Sequence, residues 1–173
     1  MSQVKPVKLI LLIGLPASGK SSLARSLAEK GDRAIISTDT IRQDLFGDEA
    51  IQGPWLQVRT EVERRMRNAV SQIHKHSYAA AIYDATNAKR SYRKEAIYLA
   101  RSVGFTFIAG VWVDTPLEVC LHRNQQRDRQ VPDEIILQMD RQLHDAPPSF
   151  ADGLDDLIRY TGASGRSRSA ILF

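Results

Sequence analysis

Eight residues, Gly14-Leu15-Pro16-Ala17-Ser18-Gly19-Lys20-Ser21, set two glycines, a lysine and a hydroxyl at fixed spacing. They fit G-x-x-x-x-G-K-[ST] in full, and Ser22 follows. With glycine near 7% of residues in general, a chain of this size meets that pattern by accident with a chance of roughly one per cent or less. A loop wrapped around phosphate must turn several backbone N–H groups inward, and glycine permits the torsions and the close approach. Lys20 can reach the β- and γ-phosphates of a nucleotide such as ATP, and the Ser21 hydroxyl suits the oxygen shell of Mg2+. The start of the helix expected after the loop adds partial positive charge. Gly14, Pro16, Ala17, Ser18, Gly19, Lys20, Ser21 and Ser22 are therefore the expected nucleotide-binding set.

Further along, Ser37-Thr38-Asp39-Thr40-Ile41-Arg42 places an acid and a guanidinium three residues apart, on one helical face. Asp39 can accept a hydroxyl proton as a general base and Arg42 can hold an anion. A helix cap accounts equally for Asp39, and an Asp39–Arg42 ion pair or a solvated charge for Arg42. The apolar run 79–83 ends in Asp84-Ala85-Thr86-Asn87, where Asp84 is placed to organise Mg2+ or the active site, with a plain turn as the alternative. Asn87 joins it as an acceptor-side candidate, with helix capping by Thr86 or Asn87 as the plainer role. Last, Arg123-Asn124-Gln125-Gln126-Arg127-Asp128-Arg129-Gln130-Val131-Pro132 gathers three arginines in one turn, either a solvated basic loop or a lid that folds over the nucleotide.

The elements that must position these groups are short and alternate. Residues 7–13, VKLILLI, read as a strand buried on both faces of a parallel sheet. Similar runs at 34–37, 79–83, 105–113 and 157–161 predict four more strands. Trp55, Val58, Val62, Met66, Ala69, Val70 and Ile73 recur at steps of three or four, the stripe of a long amphipathic helix. Other helices are expected over 19–30, 39–46, 90–102, 116–127 and 132–143, the last opening on Pro132-Asp133-Glu134. Alternating strands and helices predict an α/β fold of three layers: a parallel sheet of about five strands flanked by helices, with ligands beyond the strands' carboxyl ends. Residues 1–161 read as one domain and 162–173, small, polar and basic, as a flexible tail.

Composition narrows the class. The 173 residues are 43% hydrophobic and 25% charged, an ordinary globular balance that excludes collagen-like, coiled-coil and disordered chains. Net charge is +4, which is compatible with polyanionic partners. Arg59, Arg64, Arg65 and Arg67 on the long helix lean toward nucleic acid, but Glu61 and Glu63 interleave with them, and a solvated face accounts for them as well. Trp55 and Tyr92 are able to stack a base, although an aromatic at helical spacing is more often core. The single Cys120 forbids an intrachain disulfide and reads as a small core residue, and no run reaches the 18 or so residues of a membrane span. A cytoplasmic protein without membrane association is expected. The Asn-Lys-x-Asp base motif of GTPases does not occur.

Taken in order, GLPASGKSS, STDTIRQDL, IYDATN and RNQQRDRQVP resemble the kinase domain of the polynucleotide kinase family, with the zeta-toxin-like kinases as near neighbours. The resemblance runs from about Leu9 to Leu143 and implies an ATP- and Mg2+-dependent transfer of the γ-phosphoryl group to a hydroxyl, most directly a polynucleotide 5′ end. It implies that Lys20 and Ser21 hold ATP and Mg2+, that Asp39 is the base and that Arg42 contacts an acceptor phosphate. Asp84 would then organise the acceptor side, with Arg123 and Arg127 as lid arginines and Arg129 as the alternative to Arg127. A small-molecule or nucleotide-sugar kinase using the same site is the first rival. A nucleotide-dependent switch or RNA-binding ATPase is the second.

Overall fold

The computed structural model describes residues 5–161, so the tail expected at 162–173 lies outside the described residues. Five strands, β1 (Lys8–Ile13), β2 (Arg33–Ser37), β3 (Ala80–Asp84), β4 (Phe107–Val113) and β5 (Asp156–Tyr160), form one parallel sheet in the order β2-β3-β1-β4-β5. Six helices connect and cover them: α1 (Lys20–Glu29), α2 (Thr38–Phe46), α3 (Trp55–His74), α4 (Arg90–Val103), α5 (Leu117–Gln125) and α6 (Asp133–Asp145). Every expected element is present. The sequence reading lacked only the 3-10 turn Phe150–Asp152.

β1 occupies the centre because it can be buried from both sides. Leu9, Leu11 and Ile13 join Ala81, Tyr83 and Ile108 under Val62, Met66, Ile97 and Ala100 of α3 and α4. Ile10 and Leu12 face the other way, with Ile82, Val111 and Ile158, onto Ala24 and Leu27 of α1. That two-sided burial is the reason the strand is apolar without alternation. In β4 the register begins at Phe107 rather than 105, because Gly104 (φ +115) ends α4 in the left-handed region and Phe105 N–H returns to Ala100 O. Pro132 stands just outside α6 as its cap residue, and Asp133 and Glu134 supply the first-turn acids.

Pairing aligns Ser37 with Asp84 and Leu11 with Tyr83, so the ends of β2, β3, β1 and β4 open at one edge of the sheet. Behind that edge lies a guanidinium with no exposure to water. Arg93 Nε donates to Asp152 Oδ2 (3.0 Å), Nη1 to the carbonyls of Asn87 (3.3 Å) and Ala88 (2.7 Å), and Nη2 to Ala146 O (2.6 Å). Arg90 Nε reaches the other carboxylate oxygen of Asp152 at 2.8 Å. One side chain thus closes three otherwise orphaned carbonyls and joins α4 to the 3-10 turn.

Arg93→Met is expected to lower unfolding free energy by about 3 kcal/mol or more, since it strips those carbonyls and one of the three hydrogen-bond partners of the Asp152 carboxylate. Arg93→Lys should recover less than half of that loss, because an ammonium lacks the planar fork. Urea unfolding followed by tryptophan fluorescence measures both. A loss below about 1 kcal/mol for Arg93→Met would mean that Arg90 alone suffices.

Candidate active site

The open edge of the sheet holds a cleft of about 1060 Å3. The loop between β1 and α1 forms its floor. Gly14 leaves β1 where a Cβ would lie 2.7 Å from Val113 O, so only glycine passes this close to β4. Its N–H donates to Thr86 O at 2.9 Å, joining the loop to the segment after β3. Ala17 (φ +58) and Gly19 (φ +101) both take left-handed torsions, the curvature that turns successive N–H groups to one side. Thr115 Oγ1 braces the loop from behind through Ser18 O (2.8 Å). Pro16, Ala17, Gly19, Lys20, Ser21 and Ser22 face the cleft, whereas Gly14 and Ser18 shape the loop without lining it.

Lys20 is 7% exposed, and its ammonium folds back on the loop, donating to Leu15 O (2.6 Å) and Ser18 Oγ (3.4 Å). Burial pulls its pKa down from 10.5 to about 8, and the nearby Asp84 carboxylate resists that fall most. Asp84, also 7% exposed, ends β3 and lines the cleft beside it. Asn87 sits in the left-handed region (φ +48) and donates its amide to Leu12 O at 2.7 Å. It does not cap a helix: Lys89 holds the cap position of α4, and neither Thr86 nor Asn87 does.

Asp39 is not the cap of α2 either. Ser37 takes that position and its hydroxyl accepts from Thr40 N–H (3.4 Å), which leaves Asp39 free in the first turn. Its carboxylate meets two guanidiniums, Arg42 at 3.2 Å and Arg129 at 3.5 Å, and Arg129 also reaches Glu49 at 3.2 Å. The expected Asp39–Arg42 ion pair is therefore present within a larger cluster. Arg42 is largely buried and its Nε has no hydrogen-bond acceptor among the described residues. Tyr83 lies in the same region of the cleft, and burial pushes its phenol above the ordinary range.

Arg123, Arg127 and Arg129 all line the cleft as well. Buried Asn124 holds the loop that carries two of them: its amide donates to Val131 O (2.7 Å) and its carbonyl oxygen accepts from Val131 N–H (3.0 Å). Asn124 and Glu49 escaped the sequence reading because their partners are tertiary or lie across a loop. The basic face of α3 contributes nothing to the cleft's charge. Arg59, Arg64, Arg65 and Arg67 are paired with Glu61, Glu63, Glu95 and Asp44, so the lean toward nucleic acid that rested on them is withdrawn. Trp55 corrects the core expectation: it is 46% exposed and lines the cleft with Tyr92. Cys120 is a core thiol, pushed up to about 11 by burial.

Chemically, the cleft offers a curved N–H loop, an amine and three arginines for phosphate, beside a carboxylate–guanidinium cluster for a second substrate. Ser21 and Asp84 are hard oxygen donors suited to Mg2+ that also takes phosphate oxygens. No group of three or more His, Cys, Asp or Glu side chains placed to hold a metal ion occurs among the described residues. No helix among them is long and apolar enough to cross a membrane.

A lysine with a lowered pKa costs stability wherever it is charged in both states. Below about pH 8 that cost is whole, and it fades toward pH 10.5, where the unfolded chain holds more protons than the fold. Lys20→Met is therefore expected to raise unfolding free energy at pH 7 by about 1–3 kcal/mol, net of the hydrogen bond lost at Leu15 O. The gap should narrow toward pH 10 in urea titrations. A variant less stable at both pH values would give the amine a structural role instead.

A family model for an AAA domain, AAA_33, matches residues 9–146. The L-seryl-tRNA(Sec) kinase of Methanococcus maripaludis is 27% identical over 154 residues, 86% of this chain and 57% of that protein. A chain of the Pnkp1/Rnl/Hen1 RNA repair complex superposes with a TM-score of 0.67 at 22% identity, over 83% of this chain and 46% of the other. A gluconokinase from Sinorhizobium meliloti superposes at 0.58 and 20% identity, over 94% and 86%. This chain spans about half the length of the first two, and at these identities the two structural likenesses are likenesses of fold. The phosphate loop, the five-stranded parallel sheet and the family match agree: the chain belongs to the AAA_33 family, as a P-loop domain related to kinases.

Proposed function

We propose that the protein is a kinase that transfers the γ-phosphoryl group of ATP to the 5′-hydroxyl end of a polynucleotide. The reading rests on Asp39, a carboxylate held by Arg42 and Arg129 in the same cleft as the Lys20 loop. In this scheme Asp39 accepts the proton of the acceptor hydroxyl. The acceptor oxygen forms its bond to the γ-phosphorus as the bond from that phosphorus to the β–γ bridging oxygen breaks, and ADP leaves. Lys20 and the arginines at 123, 127 and 129 neutralise charge spread over the group in transit. Arg42, with one buried donor lacking an acceptor, is suited to an acceptor phosphate. Mg2+, when bound through Ser21 and Asp84, supplies further charge neutralisation at the phosphates. Support comes from the likeness to an RNA repair chain and to a tRNA kinase.

A small-molecule kinase is the second reading, favoured by a gluconokinase fold that accommodates 94% of this chain. Incubation with γ-labelled ATP, Mg2+ and either a 5′-hydroxyl oligonucleotide or a panel of hydroxyl metabolites separates them. Label is expected on the oligonucleotide. Asp39→Asn should cut transfer by about 10²-fold or more while ATP affinity stays within a few-fold. Label on a metabolite alone supports the second reading, and full activity in the variant would remove Asp39 from the chemistry.

A further inference from the structure

Trp55 opens the apolar stripe of α3, yet its environment differs from the rest of that stripe. Val58, Val62, Met66 and Ala69 are at most 2% exposed, whereas Trp55 is 46% exposed at the helix start and lines the cleft. Tyr92, in the first turn of α4, is 57% exposed and lines the same cleft. Leaving two aromatic rings half in water forfeits much of the burial free energy such side chains normally contribute.

The polar handle of Trp55 is already used. Its Nε1–H donates to Glu95 Oε1 at 3.5 Å, and Glu95 in turn accepts from Arg59 Nε at 3.1 Å. Glu95 lies three residues beyond Tyr92 on α4, so one helical face brings both aromatics to the same region. What remains for a ligand at Trp55 is ring surface. The Lys89 ammonium lies 5.2 Å from the Tyr92 ring centroid, which sets a cation over one face of the second ring. Arg42 and Arg129 line the cleft with them. Rings interleaved with cations are the pattern that binds single-stranded nucleic acid, where bases stack and phosphates pair.

We infer that Trp55 and Tyr92 form a stacking subsite for the base of the acceptor's 5′-terminal nucleotide; this rests on the polynucleotide reading above. Stacking is indifferent to base identity, because every base has a π-face, so the subsite demands a base without choosing one.

Two 5′-hydroxyl oligonucleotides that differ only in whether the terminal residue carries its base or an abasic tetrahydrofuran test this. With the wild-type protein the abasic acceptor should show a KM raised about tenfold, within the range of one lost stacking contact. Trp55→Ala should raise KM for the base-bearing acceptor by a similar factor, leave the ATP KM unchanged and add less than about twofold on the abasic one. Trp55→Phe should recover most of the loss, and Tyr92→Ala should behave like Trp55→Ala. As a readout independent of any variant, 2-aminopurine at the 5′ terminus should be quenched on binding the wild-type protein. Equal effects of the alanine variants on both acceptors, or an unquenched probe, would overturn the subsite while transfer to the oligonucleotide stands. If the wild-type protein labels only metabolites, the polynucleotide reading fails first and the subsite falls with it.

Discussion

A backbone hydrogen bond 2.9 Å long, from Gly14 N–H to Thr86 O, joins the phosphate loop to the segment that follows β3. That bond ties together two loops at the ends of neighbouring strands, both of which line the cleft. The bond requires close approach, and glycine at position 14 permits it where a Cβ would strike β4. Asn87 reinforces it by donating to Leu12 O, and Arg93 holds the carbonyls of Asn87 and Ala88 from the buried side. The carbonyls of Asn87 and Ala88 are thus held by a guanidinium that is itself fixed by Asp152 and does not line the cleft.

Charge in the cleft is arranged at a cost to the ligand-free fold. Lys20 is buried among groups that do not fully compensate it, so its amine deprotonates more readily than a free lysine. Arg42 and Arg129 share one carboxylate, and Glu49 takes the remaining pull of Arg129. Anionic ligands relieve this excess of cations, which is the usual compromise at a site preorganised for phosphate. The same economy is visible in the aromatics, where Trp55 is held through Glu95 instead of sinking into the core.

Features with a local cause were legible in the residues alone. The phosphate loop was readable because its glycines answer to torsion and its lysine and serine to fixed reach. β1 was readable because burial on both faces forbids alternation, and α3 because its stripe repeats at helical spacing. Element ends shifted by a few residues where a cap decided them, as at Gly104 and Pro132. Asp39 was recognisable as a candidate, but whether it capped α2 depended on which neighbour's hydroxyl turned toward Thr40, and that neighbour was Ser37.

Tertiary structure alone decided what depends on partners far along the chain. The strand order, with β3 inserted between β1 and β2, brought Asp84 beside Lys20. Arg129 met Asp39 across 90 residues, and Arg93 met Asp152 across 59. Arg59 and Arg65 of α3 met Glu95 and Asp44 on neighbouring helices, whereas Arg64 and Arg67 pair within α3 with Glu61 and Glu63, and Trp55 was left half exposed beside the cleft. Sequence by itself determined the periodicities and the phosphate-binding loop, which are set by torsion and spacing over a few residues. Packing determined which charges remained for a ligand, since an ion pair forms only where the fold brings its members together.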